Sequence, residues 1–418
     1  MAPSSPKPAS DRSVVAAAFA AIALFVVSWT LLHVGFYKHK QLIDTPVYQR
    51  YGNAIADGKV PYRDFKLEYP PGALPVFAFP GLAEPGRNQQ VSTGFRRSFE
   101  TLMWLCGATA LVAMALVMRA LRRSTVNVWA ALCFAAIAPL LLGSVVLSRF
   151  DLWPAAIVAG ALAALVSGRP RLGHVLLGLG VAAKLYPAAL VPLGVVFVWK
   201  RTGRREALAC LGLALVVVVA IFAPFVVLSP GGVSHSLSVQ LRRPLQVESL
   251  GSALLLVGHH VFGVAVTGET NFGSQNLVGT AADWMARVST VFQAGVLVWI
   301  WAAFARGKGD AEALVVSSAA ALCVFIAIGK VLSPQFLIWL IPIVPLARGR
   351  RGLGASALLA VALVLTQIWF PFRYYRLALD FEAGLSWVLL ARDLTLVALV
   401  AVLVVSLRRT TATRPESP

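Results

Sequence analysis

The sequence predicts an all-α polytopic membrane protein, on three observations: its composition, the length of its apolar runs and the placement of its basic residues. Hydrophobic side chains make up 58% of the 418 residues and charged ones 13%, with mean hydropathy +0.76. Such a chain is too apolar and too sparsely charged to stay in solution as a globule. At least seven runs, among them Val14 to Val34, Leu208 to Leu228 and Leu385 to Leu407, are long enough to cross a hydrocarbon core, which takes about 20 residues at 1.5 Å rise. They are rich in Leu, Ala, Val and Phe without period-2 alternation. Backbone groups in lipid must be satisfied within the segment, so helices are favoured over a barrel.

The net charge of +19 would suggest nucleic acid or anionic lipid in a soluble protein. In a membrane chain the positive-inside rule accounts for it, and no nucleic-acid partner is implied. Short basic loops mark the cytoplasm: Arg119 to Arg123, Gly168 to Arg171, Lys200 to Arg205, Arg306 to Lys308, Arg348 to Arg351 and the tail from Arg408. The segments between them fall on the outer face: 36–97, 148–151, 229–283, 329–335 and 371–384, which hold most of the acidic residues.

Parity then constrains the rest. Leu172 to Trp199 lies between two basic loops, so it must turn back, and a hairpin is expected near Lys184, Tyr186 and Pro187 because Pro removes a backbone donor and a cation at membrane depth needs a polar cavity. By the same count Gly251 to Val266 stays outside as an interfacial or re-entrant segment. The total is about twelve membrane helices, with both termini cytoplasmic. The expected organisation is a disordered tail over 1–13, rich in Pro and Ser, one membrane domain over 14–407 and a second tail over 408–418. The first span carries no small-residue cleavage site and is read as uncleaved. Cys106, Cys133, Cys210 and Cys323 all sit in apolar runs without metal-like spacing, which points to core packing.

The chemistry is concentrated in the outer segments. The first contains Asp44, Tyr48, Tyr51, Asp57, Pro61-Tyr62-Arg63-Asp64-Phe65 and Glu68-Tyr69-Pro70-Pro71. Aromatic faces stack on sugar rings and carboxylates accept hydroxyl hydrogen bonds; a solvated loop with interfacial aromatics is the plainer reading. Asp44 follows the first span closely, at the depth of a lipid head group. As a base towards a hydroxyl, Asp57, Asp64 and Glu68 compete with it on composition. In Ser148-Arg149-Phe150-Asp151 a charged pair between apolar runs survives when paired, hydrated or functional, and a structural Arg149 to Asp151 contact is the simplest case. Lys184, with Tyr186 beside it, and Lys330, in Lys330-Val331-Leu332-Ser333-Pro334-Gln335, are cations at span ends that snorkelling alone could explain. Gln240-Leu241-Arg242-Arg243-Pro244-Leu245-Gln246-Val247-Glu248-Ser249 adds two guanidinium forks suited to phosphate. The sequence has no phosphate-cradling Gly-rich loop, no nucleophile elbow and no paired Cys or His metal motif. His259 and His260 are adjacent and so point to different helix faces.

Taken in order, these motifs from Asp44 to about Leu346 resemble glycosyltransferase family 87, a GT-C superfamily group that includes polyprenyl-phosphate-mannose-dependent α-1,2-mannosyltransferases of actinobacteria. The resemblance implies a GT-C-like multi-helix fold and transfer of mannose or a related sugar, with inversion, from a polyprenyl-phosphate donor. The acceptor is a hydroxyl of a glycolipid or cell-wall glycan at the outer face of the cell membrane. It implies Asp44 as general base with Asp64 second. It places Arg149, Lys184, Arg242, Arg243 and Lys330 at the donor phosphate, and Glu68, Gln246, Glu248 and Gln335 around the sugars. Tyr48, Tyr62, Tyr69, Asp151, Tyr186, Gln240 and Ser333 complete the expected substrate site. No metal and no cofactor beyond the lipid-linked substrate is expected. A transporter or flippase of a lipid-linked saccharide is the competing reading, weakened by inner loops that are short basic links.

Overall fold

A computed structural model of the chain describes residues 7–38, 42–83 and 91–411. Seven helices are long and apolar enough to cross a bilayer: Asp11–Leu31, Thr93–Ala120, Thr125–Leu142, Arg204–Leu228, Thr280–Arg306, Gly349–Trp369 and Ala383–Thr411. Between them lie Leu152–Val166, Pro170–Ala183, Val191–Thr202, Ala311–Ala327 and a run of 3₁₀ turns from Pro334 to Leu346. The tighter 3₁₀ helix rises ~2.0 Å per residue, so this short run gains depth that an α-helix of equal length would not. The fold is an all-α polytopic membrane protein.

The basic loops meet at one end of the bundle. Arg119 pairs with Asp11 and Arg171 with Glu206, both at 2.8 Å. Arg123, only 5% exposed, binds Glu312 at 2.7 Å and the Leu346 carbonyl at 2.9 Å, while Lys200 reaches the carbonyl of Gly307. The long and short segments together make twelve passes between this end and the opposite one. Arg204–Leu228 is almost wholly unburied, with Val216, Val219 and Val227 outward, as expected of a helix whose solvent is lipid.

Lys184 does sit at a hairpin turn. Gly180 packs on Pro187 and Gly194 on His174, pairings that run antiparallel about residue 184. The helix Pro170–Ala183 ends because Lys184 is extended (φ −160°, ψ 140°) and Pro187 lies within the 3₁₀ turn Tyr186–Leu190 that follows.

The segment after Arg204–Leu228 holds what the sequence reading did not anticipate, a small sheet of β1 (Leu245–Gln246), β2 (Thr267–Asn271) and β3 (Ser274–Val278) in the antiparallel order β1-β3-β2. The helix Leu250–Phe262 departs from β1 and its chain returns to β2. Both its ends are therefore tied to one sheet and it makes no crossing. The first outer segment is likewise structured: Thr45–Ala56 and Leu74–Ala83 are helices joined through a 3₁₀ turn at Pro71–Ala73.

The expected N-terminal disorder is corrected in part. Ser10 caps the first helix, its hydroxyl accepting from the Ser13 N–H, and Ala9 donates to the Arg123 carbonyl at 2.8 Å, so residues 7–13 are docked. Residues 1–6 of that tail, Gln41 of the first outer segment, and 412–418 lie outside the described residues. At the other terminus the last helix runs on to Thr411.

Candidate active site

At the end opposite the basic loops lies one cavity of about 750 Å³. Of the residues singled out in the sequence, Asp44, Glu68, Tyr69, Arg149, Lys184, Tyr186, Gln240, Arg243, Gln246, Glu248, Lys330, Ser333 and Gln335 line it. Five separate chain segments thus converge on a volume within the ~300–1,000 Å³ range of small-molecule sites.

Asp44 is the N-cap residue of Thr45–Ala56, with Pro46 pre-set for the first turn. Its carboxylate makes no capping bond; it pairs with the Arg149 guanidinium and accepts from the Tyr48 hydroxyl at 3.3 Å. Arg149 is 7% exposed. Burial pulls its pKa down to about 10, against the charges of Asp151, Tyr374 and Glu248, and it remains a cation at neutral pH. The expected Arg149 to Asp151 contact is replaced by a crossed arrangement in which Arg149 turns to Asp44 and Asp151 to Lys184.

Asp151 is 1% exposed and sits at the N-terminus of Leu152–Val166 without capping it. Its Oδ1 accepts from Lys184 Nζ and from Trp339 Nε1, both at 2.6 Å. Lys184 Nζ also lies 4.7, 5.3 and 5.0 Å from the ring centroids of Phe150, Phe336 and Trp339, a cation held by ring faces as well as by a carboxylate. Tyr186 stacks on Trp339 at 3.9 Å and 7°. The floor is thereby a fixed cation in an aromatic box.

Two outer segments close over it. Gln240 donates to the Glu68 carbonyl at 3.0 Å, and Ser229 to the Tyr62 carbonyl at 3.1 Å. Arg243 donates to the Phe272 carbonyl at the tip of the β2–β3 hairpin, at 3.1 Å. Lys330 Nζ binds the Leu241 carbonyl at 3.0 Å, and its own carbonyl accepts from the Gln246 N–H. Ser333 donates to Gln335 at 2.6 Å. Burial raises the Glu248 carboxyl to about 7, opposed by nearby hydrogen bonds and by Arg392.

Five expected site residues do not line the cavity. Tyr48 lies behind Asp44, stacked on Phe77 at 4.8 Å, and Asp151 lies beneath Lys184. Tyr62 is a buried strut whose hydroxyl donates to the Tyr69 carbonyl at 2.6 Å and whose ring meets Phe225. These contacts hold it at φ 68°, a backbone region that costs a β-carbon residue energy. Arg242 is exposed. Asp64 is engaged in its own turn: Arg63 and the Val60 N–H bond it and hold its carboxyl down at about 2. The wall also includes residues not singled out beforehand, among them Arg50, Gln275, Gln293, Phe336, Trp339 and Tyr374. Arg50 and Tyr374 stand within polar, aromatic outer segments, whereas nothing local to Gln293, inside a span, marks it. Among the described residues no group of three or more His, Cys, Asp or Glu is placed to hold a metal.

Fold and site together define a membrane-embedded protein whose single polar cavity gathers cations, carboxylates and aromatic rings at one end of the bundle. The chain belongs to glycosyltransferase family 87, whose model matches residues 67–334. That match starts beyond Asp44 and Asp64, so it is the cavity that joins Asp44 to the matched region. No curated protein matches the chain. Among solved structures, the oligosaccharyltransferase of Archaeoglobus fulgidus in its apo form is similar over 97% of this chain at 13% identity and TM-score 0.43. The chain spans 56% of that protein's length.

Proposed function

We propose that the protein is a membrane glycosyltransferase that moves a sugar, mannose by family resemblance, from a polyprenyl-phosphate donor to a hydroxyl of a glycolipid or cell-wall glycan. The observation that carries this reading is the convergence of Asp44 with Arg149, Lys184, Arg243 and Lys330 on one cavity. In the reaction the acceptor oxygen attacks the anomeric carbon, the bond from that carbon to the phosphate oxygen breaks, and configuration inverts. Asp44 takes the hydroxyl proton, and the electron pair leaves with the polyprenyl phosphate, whose charge the cations stabilise in a water-poor site. Arg149 has two calls on it, Asp44 and the phosphate; moving towards the phosphate frees the Asp44 carboxylate to act as base. Asp64 drops behind Asp44 as a candidate because its oxygens are already committed to Arg63 and Val60.

The basic end fits the cytoplasm by charge and the cavity then faces outward, with both termini inside. A conduit would need a path through the basic end, where Arg123 ties Glu312 to the Leu346 carbonyl. The test uses purified protein, labelled polyprenyl-phosphate mannose and total membrane lipid. Wild type is expected to form a labelled glycolipid, and Asp44→Asn to lose about 100-fold or more of the rate while still binding polyprenyl phosphate. Full activity in Asp44→Asn would overturn the assignment of the base; no transfer by wild type from any polyprenyl-phosphate sugar would overturn the reading.

A further inference from the structure

The last helix, Ala383–Thr411, carries two adjacent charges in mid-span, Arg392 and Asp393, both with 0% exposure. Charges at membrane depth are costly, and replacing a buried ion pair by apolar side chains is often neutral or stabilising. Their pairing at 2.8 Å therefore does not explain why they are there. Arg392 has a further contact that an apolar residue could not make: its Nη2 donates to the backbone carbonyl of Glu248 at 2.6 Å. Its guanidinium also lies 5.4 Å from the Trp369 ring centroid.

That carbonyl belongs to the strip that forms one wall of the cavity. The strip is held along its length: the Gln246 N–H bonds the Lys330 carbonyl and the Val247 N–H the Gln275 carbonyl, both at 3.0 Å. Arg392 supplies the third tie. In extended chain, residues two apart project to the same side, roughly 6.5–7 Å apart. Gln246 and Glu248 are so spaced, both line the cavity, and they are 3% and 2% exposed. Gln246 Oε1 and Glu248 Oε2 have no hydrogen-bond partner among the described residues. Two buried acceptors aimed into a cavity call for donors from a ligand, since a buried polar atom left unmatched costs free energy. A polyhydroxylated ring offers O–H donors at such spacing; a phosphate offers none.

We propose that the Gln246–Glu248 strip is the sugar-hydroxyl wall of the cavity and that Arg392 is its positioning residue, with Asp393 as the counter-ion that lets a guanidinium sit in the span. The inference rests on the sugar-transfer reading and assigns the two substrate chemistries to opposite parts of the cavity: phosphate to Lys184 and Arg149, hydroxyls to the strip.

The experiment compares wild type with Arg392→Met/Asp393→Asn, which removes both buried charges and so avoids stranding one. The probes are octyl mannoside and octyl glucoside for the wall and polyprenyl phosphate for the cations, with binding followed by tryptophan fluorescence. The double variant is expected to stay folded and monodisperse, to bind polyprenyl phosphate within about twofold of wild type, and to lose tenfold or more of its glycoside affinity. Arg392→Lys, which keeps a donor and a charge, is expected to fall between the two. Unchanged glycoside binding in the double variant, equal loss of both ligands, or no glycoside binding by wild type would each overturn the inference. Wild type that binds glycoside but transfers no sugar would sink the proposed reaction and leave the wall in place.

Discussion

Neutralising Asp151 tests how the cavity floor is built. Asp151 and Lys184 are 1% and 16% exposed at their side chains and 2.6 Å apart, so Asp151→Asn strands a cation in a site with little water. Breaking a buried pair from one side costs about 3–5 kcal/mol. Three ring faces within 4.7–5.3 Å of Nζ remain, and cation–π contact of roughly 0.5–2 kcal/mol offsets part of that loss. A net loss of about 2–3 kcal/mol is expected. Lys184→Met leaves a carboxylate with only the Trp339 N–H and should cost at least as much. With both changes no charge remains, and an Asn oxygen can still accept from Trp339, so the double variant should return to within ~1 kcal/mol of wild type. Chemical denaturation in micelles measures the cycle, and a coupling of ~2 kcal/mol or more is expected. Strictly additive losses, with coupling below ~0.5 kcal/mol, would refute the buried-pair account. Binding of polyprenyl phosphate separates stability from function: the double variant, though stable, should bind it as weakly as Lys184→Met.

Arg243→Ala should weaken polyprenyl-phosphate binding about tenfold, and Arg242→Ala, whose side chain is exposed outside the cavity, should leave it within twofold in the same titration. Gly72→Ala would put a methyl 2.5 Å from the Ala182 carbonyl carbon, backbone against backbone. It should cost about 1–3 kcal/mol and slow transfer by displacing the helix end that presents Lys184. Glu248, at about 7 in the folded protein against an ordinary 4.5, holds its proton longer folded than unfolded. The wild type should therefore lose stability as pH rises from about 4.5 to 7, by roughly 3 kcal/mol in all, and Glu248→Gln should flatten that slope in denaturation measured from pH 5 to 8. Asp64→Asn, remote from the cavity, should keep transfer within twofold of wild type.

What could be read from sequence was whatever charge and length dictate. Cations cannot be scattered through lipid, so the basic loops marked one end, and counting crossings between them required the turn at Lys184 and kept Leu250–Phe262 from being a span. The sheet escaped because its signal is weak. Asn271 pairs with Ser274 across a two-residue loop, and both central residues, Phe272 at φ 49° and Gly273 at φ 68°, are left-handed. Asn or Asp is the usual residue at the first of these positions, and Phe there hides the turn. The Ser10 cap was visible in principle, as a Ser just ahead of the first apolar run, but Pro and Ser around it read as a tail. Arg392 and Asp393 were also visible, as adjacent charges inside an otherwise apolar run. Their connection to Glu248, 144 residues away, was not, because long-range hydrogen bonds leave no local spacing.

The two ends of the bundle use charge in opposite ways, and the difference bears on what the cavity receives. At the basic end, guanidinium and ammonium groups are spent on carboxylates and carbonyls of neighbouring passes, which locks those passes together. At the cavity end five cations, Arg50, Arg149, Lys184, Arg243 and Lys330, face three carboxylates, Asp44, Glu68 and Glu248. One of those three is half protonated near neutral pH, so positive charge is in excess. Such an excess in a poorly hydrated site is unfavourable until an anion enters. A phosphate ester supplies the missing charge, and because it binds the folded state alone, its presence should raise the unfolding midpoint in proportion to the logarithm of its concentration. A neutral glycoside, meeting hydroxyl acceptors but no excess of cations, should raise it less. A bare polyprenol of the same chain length shares the tail and lacks the phosphate; it should give no such rise if charge, and not apolar burial, drives the effect.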